Sequence, residues 1–202
     1  MSNDRPLVEA ALELAEVGFD QFLSSDLTKD IPIVGTAIKI CTAADNIRNR
    51  LYAAKLHAFI RESERIPEDK KNTFRKKITS SPEEFNRLGE NLLLLLERMS
   101  DVERPAIMAT VFLSFLDGHI DQDTLRRLWE AITDAYLDDI KTLLGYPTTV
   151  PNNAHLRYLH KTGLTELESG KTFDSVGHLS FKVSDLGYRL IYSYDETKKK
   201  YG

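Results

Sequence analysis

The histidines and the single cysteine are the residues of this chain best suited to bind a metal ion or to move a proton. A zinc site needs ligands at characteristic spacings, such as His-Glu-x-x-His or two Cys-x-x-Cys pairs. The sequence contains neither motif, and Cys41 has no second cysteine beside it. His155 and His160 are five residues apart, which does not place both side chains on one helix face. The sequence therefore predicts no metal site among its five histidines, which are His57, His119, His155, His160 and His178.

The turn at Asp117 and Gly118 invites comparison with the calcium-binding loop of an EF-hand. If Gly118 were the invariant glycine of such a loop, Leu113, Phe115 and Thr124 would occupy three ligand positions. Two apolar side chains and one hydroxyl cannot supply the carboxylate oxygens that calcium needs there. The turn is therefore predicted to connect two helices.

Motifs for phosphate binding and for nucleophilic catalysis are missing from the sequence. It contains no glycine-rich phosphate loop and no Gly-x-Ser-x-Gly. Cys41 lies in an apolar segment without a histidine nearby in sequence, which favours a buried structural thiol over a nucleophile. We therefore predict a non-enzymatic protein that uses no cofactor. An enzyme whose site is assembled from several helices remains an alternative.

The overall composition is typical of a globular cytoplasmic protein. Hydrophobic residues make up 42% of the chain, charged residues 29%, and the net charge is -4. This mild acidity argues against nucleic-acid binding through bulk charge, and a single cysteine suits a reducing compartment. No signal peptide is recognised, and no apolar segment reaches the roughly 18 residues that a membrane-spanning helix needs. We expect the protein to be cytoplasmic.

The spacing of apolar residues predicts a mainly α fold, a helical bundle with a small C-terminal α/β hairpin module. The five consecutive leucines Leu92 to Leu96 lie in the bundle, and Ser81 followed by Pro82 is typical of a helix start. Predicted helices span residues 5–24, 36–64, 67–78, 82–99, 103–117, 122–144, 153–162 and 184–193, and strands at 164–168 and 178–183 form the hairpin. The predicted core includes Leu51, Phe59, Phe85, Leu88, Leu92, Leu95, Phe112, Phe115, Leu128, Trp129, Ile132 and Tyr136.

Changes in composition along the chain predict three regions. Residues 1–35 form an N-terminal amphipathic interaction region, residues 36–146 the helical bundle, and residues 151–202 the hairpin module. The last region carries more basic than acidic residues, whereas residues 1–150 are acidic overall.

The C-terminal region resembles the second half of a winged-helix domain. The resemblance rests on apolar and small residues at matching positions, which are Leu156, Leu159, Gly163, Leu164, Leu179, Phe181, Val183, Ser184, Leu186, Gly187 and Ile191. It implies that the helix before the first strand can lie in a DNA groove and that the hairpin is the wing. The residues that would then contact nucleic acid are Arg157, His160, Lys161, Lys171 and Lys182. Winged helices also serve as protein-interaction modules.

The layout of the whole chain resembles that of uncharacterised bacterial helical proteins, some of them linked to abortive infection and phage defence. The shared features are an N-terminal amphipathic region, the Ile31-Pro32-Ile33 segment, a helix with Lys55 and Phe59, a helical bundle and a wing-like tail. The resemblance implies a setting in bacterial defence.

The N-terminal region carries apolar residues beyond those that the downstream helical bundle needs to form its core. Helical spacing puts a stripe on one face of the first helix, and a short apolar segment follows it; together they comprise Leu7, Ala11, Leu14, Gly18, Phe22, Ile31, Ile33 and Val34. Acidic residues on the opposite face disfavour an anionic membrane. The sequence thus predicts a regulatory or interaction protein that self-associates or binds a protein partner. A winged-helix nucleic-acid-binding regulator is the alternative, and a membrane is the least favoured partner.

Overall fold

The computed structural model describes residues 47–145, 156–168 and 180–202. Helix accounts for 76% of the described residues, and a two-stranded antiparallel sheet lies near the C-terminus, which confirms the predicted fold class. The predicted helix at 5–24, Cys41 and the apolar stripe from Leu7 to Val34 lie outside the described residues, as does Lys171. Within the described ranges, no helix combines the length and apolar character that crossing a membrane would take.

The contacts divide the chain into two compact units, Met1–Ala109 and Thr110–Gly202. The division falls within a helix of the predicted bundle. The predicted region borders near residues 35 and 146–151 lie outside the described ranges, so those borders stay predictions.

The described part of the first unit is built from α1 (Ile47–Ser63), α2 (Glu68–Ser80) and α3 (Pro82–Arg98), followed by the start of α4 (Arg104–Leu116). Helix α3 packs against both α1 and α2. Because an α-helix has 3.6 residues per turn, the leucine run divides between two faces: Leu92, Leu95 and Leu96 are buried, whereas Leu94 is 62% exposed.

The N-terminus of α3 differs from its prediction in one respect. Ser81 occupies the capping position and Pro82 begins the helix, but the serine hydroxyl makes no capping hydrogen bond. At the following helix Asp101 caps instead, since its carboxylate accepts from the backbone N–H groups of Glu103 and Arg104 at 3.0 and 2.9 Å.

The second unit contains α5 (Gln122–Asp134) and α6 (Leu137–Leu144) where the sequence predicts one helix over 122–144. That prediction was wrong because Ala135 and Tyr136 are extended, with ψ angles of 154° and 133°. Neither glycine nor proline marks the break. The break allows α6 to take its own direction and to bury Ile140 and Leu143. Asp121 caps α5, since its carboxylate accepts from the Thr124 N–H at 2.8 Å.

The rest of the second unit is the predicted hairpin module. Helix α7 (Leu156–Leu159) continues into a 3₁₀ turn at His160–Thr162, followed by β1 (Thr165–Glu168), β2 (Ser180–Val183) and α8 (Asp185–Tyr201). The strands are antiparallel, with Thr165 opposite Val183 and Glu168 opposite Ser180. Helix α8 runs eight residues beyond its predicted end at residue 193, to Tyr201.

The predicted core residues are largely inside. Trp129, Leu128 and Ile132 are buried in α5, and Phe112 lies 6.0 Å from the Trp129 ring between centroids. Tyr136 was wrongly assigned to the core, since the extended backbone between α5 and α6 leaves its side chain 68% exposed. The other partial misses are Leu51, Phe85 and Phe115, which are half-buried.

Candidate interaction surface

The joint between the hairpin and α8 fixes the geometry of the C-terminal module. Gly163 ends the 3₁₀ turn with a φ of 77°, a left-handed conformation that glycine adopts without strain. Ser184 caps α8: its hydroxyl accepts from the Gly187 N–H at 3.1 Å and donates to the Gly163 carbonyl at 2.6 Å. A Cβ at Gly187 would collide with the Leu164 carbonyl oxygen. Helix α8 therefore starts directly against the backbone of the turn that precedes β1.

The far end of α8 is held by a buried carboxylate. Asp117, whose side chain is 2% exposed, accepts from the Lys200 ammonium at 2.8 Å and from the Tyr201 hydroxyl at 2.9 Å. The hydrogen bond to Asp117 raises the pKa of Lys200, and burial is the main cause that raises the pKa of Tyr201. Both ends of α8 are thus anchored to other parts of the same unit.

The predicted nucleic-acid residues divide between two elements. Arg157, His160 and Lys161 lie together in the exposed helical segment before β1. His160 also has a structural role, because its Nδ1 lies 3.1 Å from the Thr165 carbonyl oxygen and its ring centroid 5.4 Å from that of Phe181.

The hairpin offers little positive charge among its described residues. Lys182 pairs across the strands with Glu166 at 2.9 Å, and this hydrogen bond raises the pKa of the lysine. Glu168 is also exposed on β1. A phosphate backbone would therefore meet two carboxylates for each available ammonium on these strands.

A group of exposed tyrosines was missed by the reasoning from sequence. Tyr188 and Tyr192 are 54% and 52% exposed and lie one turn apart on α8. Tyr158 and Tyr136 are 70% and 68% exposed elsewhere in the same unit. The two tyrosines are four residues apart, which is the spacing of neighbours on one helix face. The predicted helix ended at residue 193, however, so the rest of that face was not recognised.

The outer face of α8 comprises the residues that the helix turns away from its unit, namely Asp185, Tyr188, Arg189, Tyr192, Asp195, Glu196 and Lys199. The His119 ring lies edge-on to Tyr192 at 6.0 Å between centroids and borders this face. Two large aromatic side chains surrounded by charged residues have the composition of a protein-binding surface, in which an apolar centre is enclosed by a polar rim.

Among the described residues, no group of three or more His, Cys, Asp or Glu side chains could hold a metal ion.

Comparison with known proteins gives no further guide to function. No protein-family model matches the chain, and neither a curated protein nor a solved structure matches it.

Proposed function

We propose that this protein is a non-enzymatic interaction protein that binds another protein, or a second copy of itself, through the outer face of α8. The observation that carries the proposal is the pair Tyr188 and Tyr192, both about half exposed at adjacent turns of one helix. Tyrosine is enriched in protein interfaces because it contributes a large apolar ring together with a hydroxyl that can hydrogen-bond. The rigid anchoring of α8 at both ends supports the proposal, since the face is presented in one orientation.

The resemblance of the layout to bacterial helical proteins suggests where a partner would be sought. A cytoplasmic component of a phage-defence system is the setting that we propose on that resemblance alone.

The test is capture of a partner from the native host by the full chain. Tyr188→Ser combined with Tyr192→Ser should abolish capture, because the apolar centre of the face is removed. Tyr158→Ser is the control, since Tyr158 is more exposed than either tyrosine of α8 but lies on α7, and it should retain the partner. A chain that stays monomeric and captures nothing would contradict the proposal.

A winged-helix nucleic-acid binder is the second candidate, supported by the exposed Arg157 and Lys161 on the helix before the hairpin. If it is correct, the chain binds duplex DNA with an affinity that falls steeply with salt. Arg157→Glu and Lys161→Glu should each weaken binding, whereas Arg127→Glu, a matched reversal at an exposed site on α5, should not. Absence of binding at low salt would end this candidate.

A further inference from the structure

Charged residues on the outer face of α8 lie at equal distances in sequence before and after Tyr192. Asp185 and Lys199 lie seven residues before and after it, and Arg189 and Asp195 lie three residues before and after it. The members of each pair carry opposite charge. At 3.6 residues per turn, all of these positions fall within roughly 60° of Tyr192 around the helix axis.

The burial pattern agrees with this geometry. Leu190, Ser193 and Thr197 are buried and point towards the unit, whereas Asp185, Arg189, Tyr192, Asp195 and Lys199 are exposed. The charged positions and Tyr192 therefore form one continuous stripe on the solvent side of α8.

From this symmetry we infer that the outer face of α8 pairs with the same face of a second copy of this chain, with the two helices antiparallel. The two-fold axis passes through Tyr192, so that the two Tyr192 rings meet. Asp185 of each copy then faces Lys199 of the other, and Arg189 faces Asp195. A two-fold interface uses one self-complementary patch on both subunits, which is what this charge order provides.

The remaining members of the face fit the same arrangement. Tyr188 and Glu196 lie four residues before and after Tyr192, so the phenol of one copy meets a carboxylate of the other and can donate a hydrogen bond to it. Lys199 bonds Glu196 of its own helix at 2.9 Å in the isolated chain. Exposed pairs of this kind contribute little to stability, so exchanging this one for contacts across the interface costs little.

Charge complementarity favours a second copy over other occupants. Three carboxylates on the face, those of Asp185, Asp195 and Glu196, oppose a phosphate backbone or an anionic membrane. The two cations Arg189 and Lys199 oppose a strongly basic partner. An antiparallel copy is the occupant that places Asp185, Arg189, Asp195 and Lys199 each opposite a group of the opposite charge, and Glu196 opposite a phenol.

This inference rests on the proposed function, for which it names the partner. A single helix from each copy makes a small interface, and small interfaces are typical of weak or transient association. We expect a concentration-dependent equilibrium between paired and unpaired α8 faces.

Charge reversal in the full chain tests the pairing. Arg189→Asp and Asp195→Arg should each weaken dimerisation about tenfold or more, because the symmetry turns two attractive contacts into two repulsive ones. The double variant carrying both changes restores opposite charges across the axis and should recover most of the affinity. Arg157→Asp is the matched control, at an exposed residue of α7 in the same unit and outside the outer face of α8, and should leave the dimer unchanged. Sedimentation equilibrium over a range of concentrations measures the dissociation constants.

A second experiment tests the position of the axis. In the Tyr192→Cys variant the two introduced thiols face each other, so a mild oxidant should link two copies through a disulfide. Tyr158→Cys lies at a more exposed site that is off the axis, and it should link no better than the wild-type chain, whose only cysteine is Cys41.

Two outcomes overturn the inference: a chain that is monomeric at all concentrations, or a dimer that is insensitive to both reversals or is not rescued by the double variant. In either case the proposed function is judged separately. It survives if the Tyr188 and Tyr192 double variant loses a captured heterologous partner, and it fails if no partner depends on those tyrosines.

Discussion

At the scale of single residues, Lys55 shows how a buried charge can be satisfied by a helix end. The side chain is 4% exposed, and its ammonium donates to the carbonyl oxygens of Leu96 and Met99 at 2.9 and 2.6 Å. The last carbonyls of an α-helix have no partner within the helix, and the C-terminal end of its dipole attracts a cation. Lys55 on α1 therefore caps α3.

Replacing Lys55 with methionine should destabilise the protein by about 1–3 kcal/mol, since two buried carbonyls lose their donor. Urea unfolding followed by circular dichroism gives the free energy of unfolding. The control is Lys76→Met, at an exposed lysine of α2, which should change that free energy very little. Equal stability of the two variants would mean that the carbonyls find other donors.

His57 on the same helix predicts a pH dependence of stability. Burial lowers its pKa from the usual 6.5, and the nearby Arg61 lowers it further, against the opposing effect of Glu64. Well above pH 6.5 the imidazole is neutral in both states and does not make stability depend on pH. As the pH falls through 6.5 the unfolded chain binds the proton first, so the folded state loses stability until the pH passes the lower pKa of the folded state.

His57→Gln removes this titration while keeping a polar side chain of similar size. The variant should lose less stability than the wild type when the pH is lowered from 8 to 5, because all other titrating groups are common to both chains. Denaturant midpoints measured across that range provide the comparison. Parallel pH profiles would show that His57 is solvated equally in both states.

At the scale of elements, α8 depends on close approach at its N-terminus. Gly187→Ala would place a methyl group against the Leu164 carbonyl oxygen, which accepts from the Ser184 N–H at 3.1 Å. Backbone cannot move aside as a flexible side chain can, so we expect a loss of about 1–3 kcal/mol. Thermal unfolding measures it, with Glu130→Ala at an exposed site on α5 as the control. A stable Gly187→Ala protein would contradict the close packing.

The elements also show what local sequence can predict. Apolar spacing was enough to locate α1, α3 and the start of α5, because burial of one face follows directly from helical periodicity. The break at Ala135 and Tyr136 has no local signal, since neither residue disfavours a helix strongly and packing of α6 decides it. The extension of α8 to Tyr201 is secured by Asp117, more than 80 residues earlier, and such a distant contact leaves no trace in a local pattern.

The same limit applies to the candidate site. Arg157, His160 and Lys161 lie in one helical segment because they are neighbours in the chain, so their proximity needs no tertiary information. Predicting that Lys182 pairs with Glu166 would have needed the register of the strands. Predicting the outer face of α8 would have needed the full length of the helix.

At the scale of the whole molecule, two surfaces are now proposed for association. One is the outer face of α8. The other is the N-terminal stripe from Leu7 to Val34, inferred from its sequence alone. A different change should disrupt each surface. Comparing the single changes with the combined change therefore separates the contributions of the two surfaces to association.

Deleting residues 1–35 should lower the oligomeric state while leaving the helical content per residue nearly unchanged, because the stripe is predicted to meet another subunit and surplus apolar area of this kind marks an interaction surface. Light scattering gives the mass and circular dichroism the helical content. The deletion combined with Arg189→Asp should associate more weakly than either single change, because each change alone leaves the other surface intact. Identical masses for the wild type and the deletion would refute the role of the stripe. Unfolding of the deletion would instead mean that these apolar residues complete the core of their own chain.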